Sequence, residues 1–223
     1  MADWVTISSL ATGAGTLVLA VATFSSVRSA NRSARVAERA LQVGQRPLLI
    51  PSREEDPVER IRFGDRHVLT VSGHGGAVEA KDGVIYMALA LRNGGAGLAV
   101  LHAWRARPRI DRDRRELRDA QGADSAEQAP DPDEMRRQQL DLYIPAGDTG
   151  YWQGAMRDPE ETGYREVLDA VRREGTIQID LLYGDLEGGQ RTIARFIVSP
   201  WPEVEGERAI AVRYWNVDDD DPR

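Results

Sequence analysis

The chain has 223 residues, 41% of them hydrophobic, enough for one ordinary domain with a real core plus a short appendage. It contains no cysteine, which excludes disulfides, thiolate catalysis and thiolate-held zinc. The formal net charge of -7 is uneven: residues 1–27 carry only Asp3, and residues 28–46 carry five arginines against Glu38. The body from residue 47 is therefore at about -10, a field that repels phosphate backbones and excludes nucleic acid as a partner.

From Trp4 to Phe24 the sequence WVTISSLATGAGTLVLAVATF has 21 residues without a charge. At 1.5 Å per residue this run covers roughly 30 Å as a helix, the thickness of a bilayer core. Trp4 and Phe24 stand at its two edges, where interfacial aromatic anchors belong. Thr6, Ser8, Ser9, Thr12, Gly13, Gly15 and Thr16 dilute its first half, so a buried helix of a soluble domain is the competing reading. Ala20-Val21-Ala22 resembles a signal-peptide cleavage site, but no positive segment precedes the apolar run. The arginines follow it instead. Arg28, Arg32, Arg35 and Arg39 orient a single-pass span with the N-terminus outside and the remainder cytoplasmic.

Spacings of 4, 3 and 4 place those arginines in one helical stripe, with Ala30, Ala34, Ala37 and Leu41 on the opposite face. The expected organisation is a transmembrane anchor over 1–27 and an arginine-rich, amphipathic juxtamembrane helix over 28–45. The arginine stripe suits anionic headgroups, at about 1 kcal/mol per charge. The alanine face, with Val27, suits homo-oligomer formation through the N-terminal helix.

Gly44 and Pro47 end the helix, and residues 46–217 read as a mainly β domain, a β-sandwich of immunoglobulin-like kind with one short helix. Its strand signals are RPLLIP, HVLTV, GVIYMALAL, GLAVLHAWRA, QLDLYIP, TIQIDLLYGDL, TIARFIVS and AIAVRYWNV. Hairpin turns are expected at Gly188-Gly189 and within Asn93–Gly97. Asp158, Pro159 and Glu161 mark the start of the helix and Gly175 its end, with Tyr164, Val167, Leu168 and Val171 on its buried face. Residues 111–137 hold nine acids and six arginines and read as a solvated, mobile loop, and 218–223 as an acidic tail.

Little in the sequence assigns chemical roles. His67, His74 and His102 are 7 and 28 positions apart, spacings that match no helical or finger-like metal pair. SGHGG lacks the nucleophile elbow that an esterase oxyanion hole requires, and GGAGLAV lacks the third glycine and following helix of a dinucleotide site. Asp180 and Asp185 are a strand residue and a turn residue with no environment to separate their roles. Neither a cofactor nor a metal is expected. Trp152 in GDTGYWQG and Trp201 in SPWPEVEG read as loop aromatics available to a partner.

A single span, an arginine-bearing linker ending in RP, and the segments LRNGGAGLAVL and YGDLEGGQRT together resemble a group of uncharacterised actinobacterial single-pass membrane-anchored proteins. The resemblance implies location and architecture, without an activity. The resulting expectation is a non-enzymatic membrane protein presenting a cytoplasmic β-sandwich to another protein. The alternatives are a membrane-tethered small-molecule sensor and, third, a membrane-tethered hydrolase.

Overall fold

A computed structural model describes residues 4–109, 129–140, 142–200 and 207–218, with the side chains of the first helix described from Gly13 onward except 39, 42 and 43. The chain divides into two compact units, Met1–Gly44 and Gln45–Arg223. The side chains of Trp4 and Arg39, the whole of Trp201, and most of the expected 111–137 loop and acidic tail lie outside the described residues.

The first unit is one helix, α1 (Trp4–Gly44), so no break separates the expected anchor from the arginine segment. No proline interrupts it, and alanine, leucine and arginine supply good propensity downstream of the glycines. Leu17, Val18, Leu19, Val21 and Phe24 are each more than 60% exposed. Among the described residues no helix is long and apolar enough to cross a membrane. The physical reason lies at the two ends of that apolar girdle, where it gives way to Gly13, Gly15 and Thr16 on one side and to Arg28 on the other.

The second unit is built on a ten-stranded antiparallel sheet. Its strands are β1 (Leu49–Pro51), β4 (Gly75–Lys81), β5 (Val84–Asn93), β6 (Ala99–Pro108), β7 (Arg136–Arg137), β8 (Tyr143–Ile144), β9 (Thr149–Met156), β10 (Ile177–Gly184), β11 (Thr192–Pro200) and β12 (Glu207–Asn216). They run in the order β1-β5-β4-β12-β11-β10-β6-β7, with β9 on β5 and β8 on β6. Arg92 pairs with both Ile50 and Thr149, and Leu89 with both Gly76 and Trp152, so β9 lies on the edge of β5 opposite β1 and β4. The sheet therefore ends at β9 on one side and at β7 and β8 on the other. Its inner face encloses a single core that draws on both ends, with Leu89, Trp152, Trp104, Ile179 and Phe196 in one cluster. The ten strands form one continuous antiparallel sheet whose two ends meet, Trp104 of β6 touching Trp152 of β9.

A second sheet, β2 (Glu59–Arg62) with β3 (Val68–Val71), packs Ile61, Phe63, Leu69 and Val71 over the outer face of β5. This explains why VIYMALAL reads as continuously apolar: Ile85, Met87, Leu89 and Leu91 face the main core, while Tyr86, Ala88 and Ala90 face the small sheet. The short helix α2 (Tyr164–Arg172) buries Tyr164, Val167 and Ala170 in the main core. It begins later than Asp158 suggests. The Asp158 side chain accepts from the Glu160 N–H in a preceding turn, and Gly163, at φ 84°, sets the entry to the helix.

The expected Asn93–Gly97 hairpin does not form, because β5 and β6 have no common ladder. Asn93, fully buried, instead acts as a four-way tie. Its Nδ2 donates to Gly97 O at 2.6 Å and Ile144 O at 2.9 Å, and its Oδ1 accepts from the Leu48 and Gly95 N–H groups at 3.1 and 3.0 Å. Gly95 and Gly97 are required there, since a Cβ would fall 2.2 Å from Arg46 O and 1.7 Å from Gln45 O. The turn serves to seat the incoming chain.

The end of the expected mobile loop is ordered as well: Met135 is buried and Arg136–Arg137 pair with Trp104 and Ala103 of β6. Asp218, first of the acidic tail, is held by the Arg191 guanidinium at 2.6 Å. Replacing Asn93 with Ala removes the partner of the buried Ile144 carbonyl and of three part-buried backbone groups, so Asn93→Ala is expected to destabilise the protein by about 2–3 kcal/mol in urea unfolding. A loss under about 1 kcal/mol would remove Asn93 from this role.

Candidate functional site

The residues most able to bind something lie where the two ends of the sheet meet. Trp104 of β6 and Trp152 of β9 touch edge to face across that seam, with ring centroids 5.5 Å apart. Gln138, immediately after β7, spans it. Its N–H donates to His102 O at 2.8 Å, its Nε2 donates to Gln153 O at 3.1 Å, and its Oε1 accepts from Trp152 Nε1 at 3.1 Å. One side chain thus supplies part of what a strand-to-strand ladder would supply.

Beyond Gln138 the seam opens into a cavity of about 540 Å³. Trp104, Arg136, Gln138, Gln153, Gly154 and Arg157 line it from the sheet, and Phe63 and Asp65 from the turn between β2 and β3. Gly154 is a requirement of packing, because a Cβ there would come within 2.6 Å of the Trp152 ring.

Two arginines form parts of the wall, each fixed by a carboxylate and an aromatic ring. Arg136 Nη1 donates to both carboxylate oxygens of Glu161 at 2.7 Å, with its guanidinium 5.2 Å from the Trp104 ring centroid. Arg157 Nη1 donates to Asp65 Oδ2 at 2.5 Å and lies 5.6 Å from the Tyr86 ring. The Tyr86 hydroxyl donates to the same Asp65 oxygen at 2.6 Å. That hydroxyl, followed by Arg157, holds the Asp65 carboxyl well below the usual carboxylate range, while burial and then Asp65 push the Tyr86 hydroxyl up. Asp65 is therefore a fixed negative charge at neutral pH, unsuited to moving protons.

Gln153 is the exception among these satisfied groups. It is only 6% exposed, it lines the cavity, and its Oε1 has no partner among the described residues. A buried acceptor left unpaired costs about 1–3 kcal/mol, and this one is closed off from the cavity, with almost no accessible surface of its own.

Trp152, expected as a loop aromatic for a partner, is fully buried on a central part of β9 and forms the back of the seam. Its two flanking glycines, Gly150 and Gly154, disguised the strand as a loop. The true alternation has Trp152, Gly154 and Met156 on the inner face and Tyr151, Gln153 and Ala155 on the outer. Phe24, Arg28, Arg32 and Arg35 are exposed on α1, in the other unit.

The other candidates have structural partners, except His102, whose buried Nε2 has none among the described residues. Asp180, fully buried, sits opposite Arg105 on β6 and Arg195 on β11. Arg195 engages both its oxygens, at 2.6 and 3.2 Å, and lies 4.6 Å from the Trp215 ring. Asp185 accepts from the Gly189 N–H in the β10–β11 turn, which falls where the sequence placed it. His67 stacks on Tyr86 at 4.0 Å and meets Glu79 at 3.1 Å, and His74 contacts Ser52. His102 occupies the bulge of β6 opposite Leu182 and Tyr183, and burial, then Arg191, lowers its pKa. Among the described residues no cluster of three His, Asp or Glu side chains is arranged to hold a metal.

Among the described residues Glu207, at the start of β12 opposite Gly76, is the carboxyl raised into the physiological range: burial pushes it up to about 7, with a hydrogen bond from the Val78 backbone acting the other way. Between its ordinary value and 7 the folded state holds a proton that the unfolded state has released, so stability falls as pH rises through that window. Unfolding at pH 5 and pH 8 is expected to show this loss, at most about 3 kcal/mol, in the wild type and not in Glu207→Gln. Equal pH dependence in both proteins would refute the assignment. Comparison with protein-family models, curated proteins and solved structures finds no match to this chain.

Proposed function

We propose that the protein is a non-enzymatic binding module held at a membrane by α1, with its β-rich body as the part that meets a target. The observation that carries this reading is the exposed apolar girth of α1. At 100° per residue, Leu17, Val21 and Phe24 share one face, Val18 and Leu19 lie about 100° and 200° round from Leu17, and the exposed Ala22 and Ala20 lie at about 140° and 300°, so apolar side chains occur on every side. A seam between two helices needs only one apolar stripe, whereas apolar surface all round calls for an apolar solvent. Upstream, the sequence stays uncharged as far as Asp3, and downstream Arg28, Arg32 and Arg35 supply the charge that holds a cytoplasmic flank. The single-pass topology, with the N-terminus outside and the body in the cytoplasm, belongs to this proposal, as does the resemblance to actinobacterial membrane-anchored proteins.

Binding is favoured over catalysis because, among the described residues, the carboxylates near the cavity, Asp65 and Glu161, are locked to arginines and no histidine lines it. The body's target is another protein in the first reading. The seam cavity specifically favours a second: that the body is a small-molecule sensor.

The chain's lack of cysteine provides the test. Leu186 is 71% exposed in the β10–β11 turn, so Leu186→Cys creates a unique label site. The protein is expected to stay with the membrane pellet through a carbonate wash and to react with an impermeant maleimide only after cells are opened. Labelling of intact cells would reverse the topology, and release into the soluble fraction would end the membrane proposal.

A further inference from the structure

We propose that the seam takes up an extended peptide of a partner protein as an added strand along the outer edge of β9. This rests on the protein-binding reading of the body and specifies how the target is held. Three observations carry it.

The first is the direction of the β9 backbone groups. In an antiparallel ladder the N–H and C=O of one residue point to the same side, and successive residues alternate. Asn93 N–H donates to Asp148 O at 3.0 Å, and the register runs on without a shift through Leu91↔Gly150, Leu89↔Trp152 and Met87↔Gly154. Those residues of β9 therefore face β5. The intervening Ala90 accepts from Ser52 N–H at 3.0 Å on the other edge of β5, as the alternation requires. Tyr151, Gln153 and Ala155 consequently turn both backbone groups away from β5, where no strand pairs with them among the described residues. Gln153 O, held by Gln138 Nε2 at 3.1 Å, points the same way. Ala155, partly exposed, has neither group bonded among the described residues.

The second is the lack of protection on this edge. Natural edges are blunted by charge, proline, a bulge or shortness. β9 reads TGYWQGAM over eight residues, with no charged side chain, no proline and no break in register. At the other end of the sheet β7 and β8 are two residues each. Shortness protects that end, whereas at β9 the Gln138 side chain shields a single rung.

The third is space beside the unshielded part. Gln153, Gly154 and Ala155 line the cavity of about 540 Å³ that opens beyond Gln138. This volume admits a short length of chain and no folded domain. Arg136 with Glu161, and Arg157 with Asp65, leave the wall without net charge, so it selects no charged side chain. Recognition through main-chain groups is what remains, and strand addition works in that way. The incoming segment must bring an N–H to Ala155 O and a C=O to Ala155 N–H, which bars proline from the paired position.

The test presents the full chain with a phage-displayed library of random linear octapeptides, and the selected peptides are resynthesised with a fluorophore and followed by anisotropy. Each peptide N–H is then methylated in turn. Methylation at one or two alternate positions is expected to weaken binding at least tenfold, and at the position between them less than threefold. Ala155→Pro removes an outward N–H and leaves the β5 ladder intact. Its unfolding midpoint in urea is expected to hold while the peptides bind at least tenfold more weakly. The methylation series leaves the protein unaltered, so it decides the matter even if that variant fails to fold.

Peptide binding without this alternation, or binding that a folded Ala155→Pro variant retains, would overturn strand addition at β9 and leave the protein-binding reading standing. If no peptide is selected, strand addition fails. Chemical cross-linking of the full chain in its own cells then separates the two, because the protein-binding reading fails as well only when no partner protein is trapped.

Discussion

A sheet that folds upon itself must satisfy the backbone hydrogen-bonding groups along its two last strands, because a buried N–H or C=O without a partner costs as much as a lost hydrogen bond. Full closure into a barrel is one solution. This protein uses another, in which side chains complete the ladder where strands stop. Gln138 reaches from the β7 end to the main chain and tryptophan of β9, and Asn93 binds four backbone groups from three segments. The cavity is a consequence of this incomplete closure. Had β7 run on alongside β9, the space between Arg136 and Arg157 would be filled with ladder and core.

Burial on both faces of the central strands is the second determinant of the architecture. On β5 the outer face is apolar and takes the β2–β3 sheet as its cover. On β10 the outer face carries Gln178 and Asp180, and burial there is made tolerable by charge pairing with Arg195 and Arg105. Breaking such a pair costs about 3–5 kcal/mol, although replacing the whole of it with apolar residues is often neutral. Its value here is positional. Asp180 pairs directly opposite an arginine on each neighbouring strand, and a one-residue slip of either strand would leave a buried charge alone.

The helix and the body obey different rules. The body buries its apolar side chains against one another, whereas α1 keeps Leu17, Val18, Leu19, Val21 and Phe24 exposed over two turns. Isolated helices gain little from propensity alone, so a 41-residue helix with this surface depends on what surrounds it.

By itself the sequence determined whatever depends on neighbours along the chain. The continuous helix to Gly44, the alternation of Ile177, Ile179 and Leu181, the turn after Tyr183 and the mainly β character of the body all follow from local periodicity and punctuation. Tertiary structure decided whatever depends on which strands meet. GYWQG reads as a loop because two glycines interrupt its pattern, yet pairing with β5 makes it a strand and buries Trp152. Asn93–Gly97 has the composition of a hairpin turn, yet its glycines serve the close passage of Gln45 and Arg46. Arg136 lies in a run of charges that reads as solvated, yet β6 takes it into the sheet. None of Gln138, Gln153 and Arg157 carries a local signal of function. Their juxtaposition arises only when the two ends of the sheet close, bringing Trp104 against Trp152 across 48 positions, which no short-range pattern encodes.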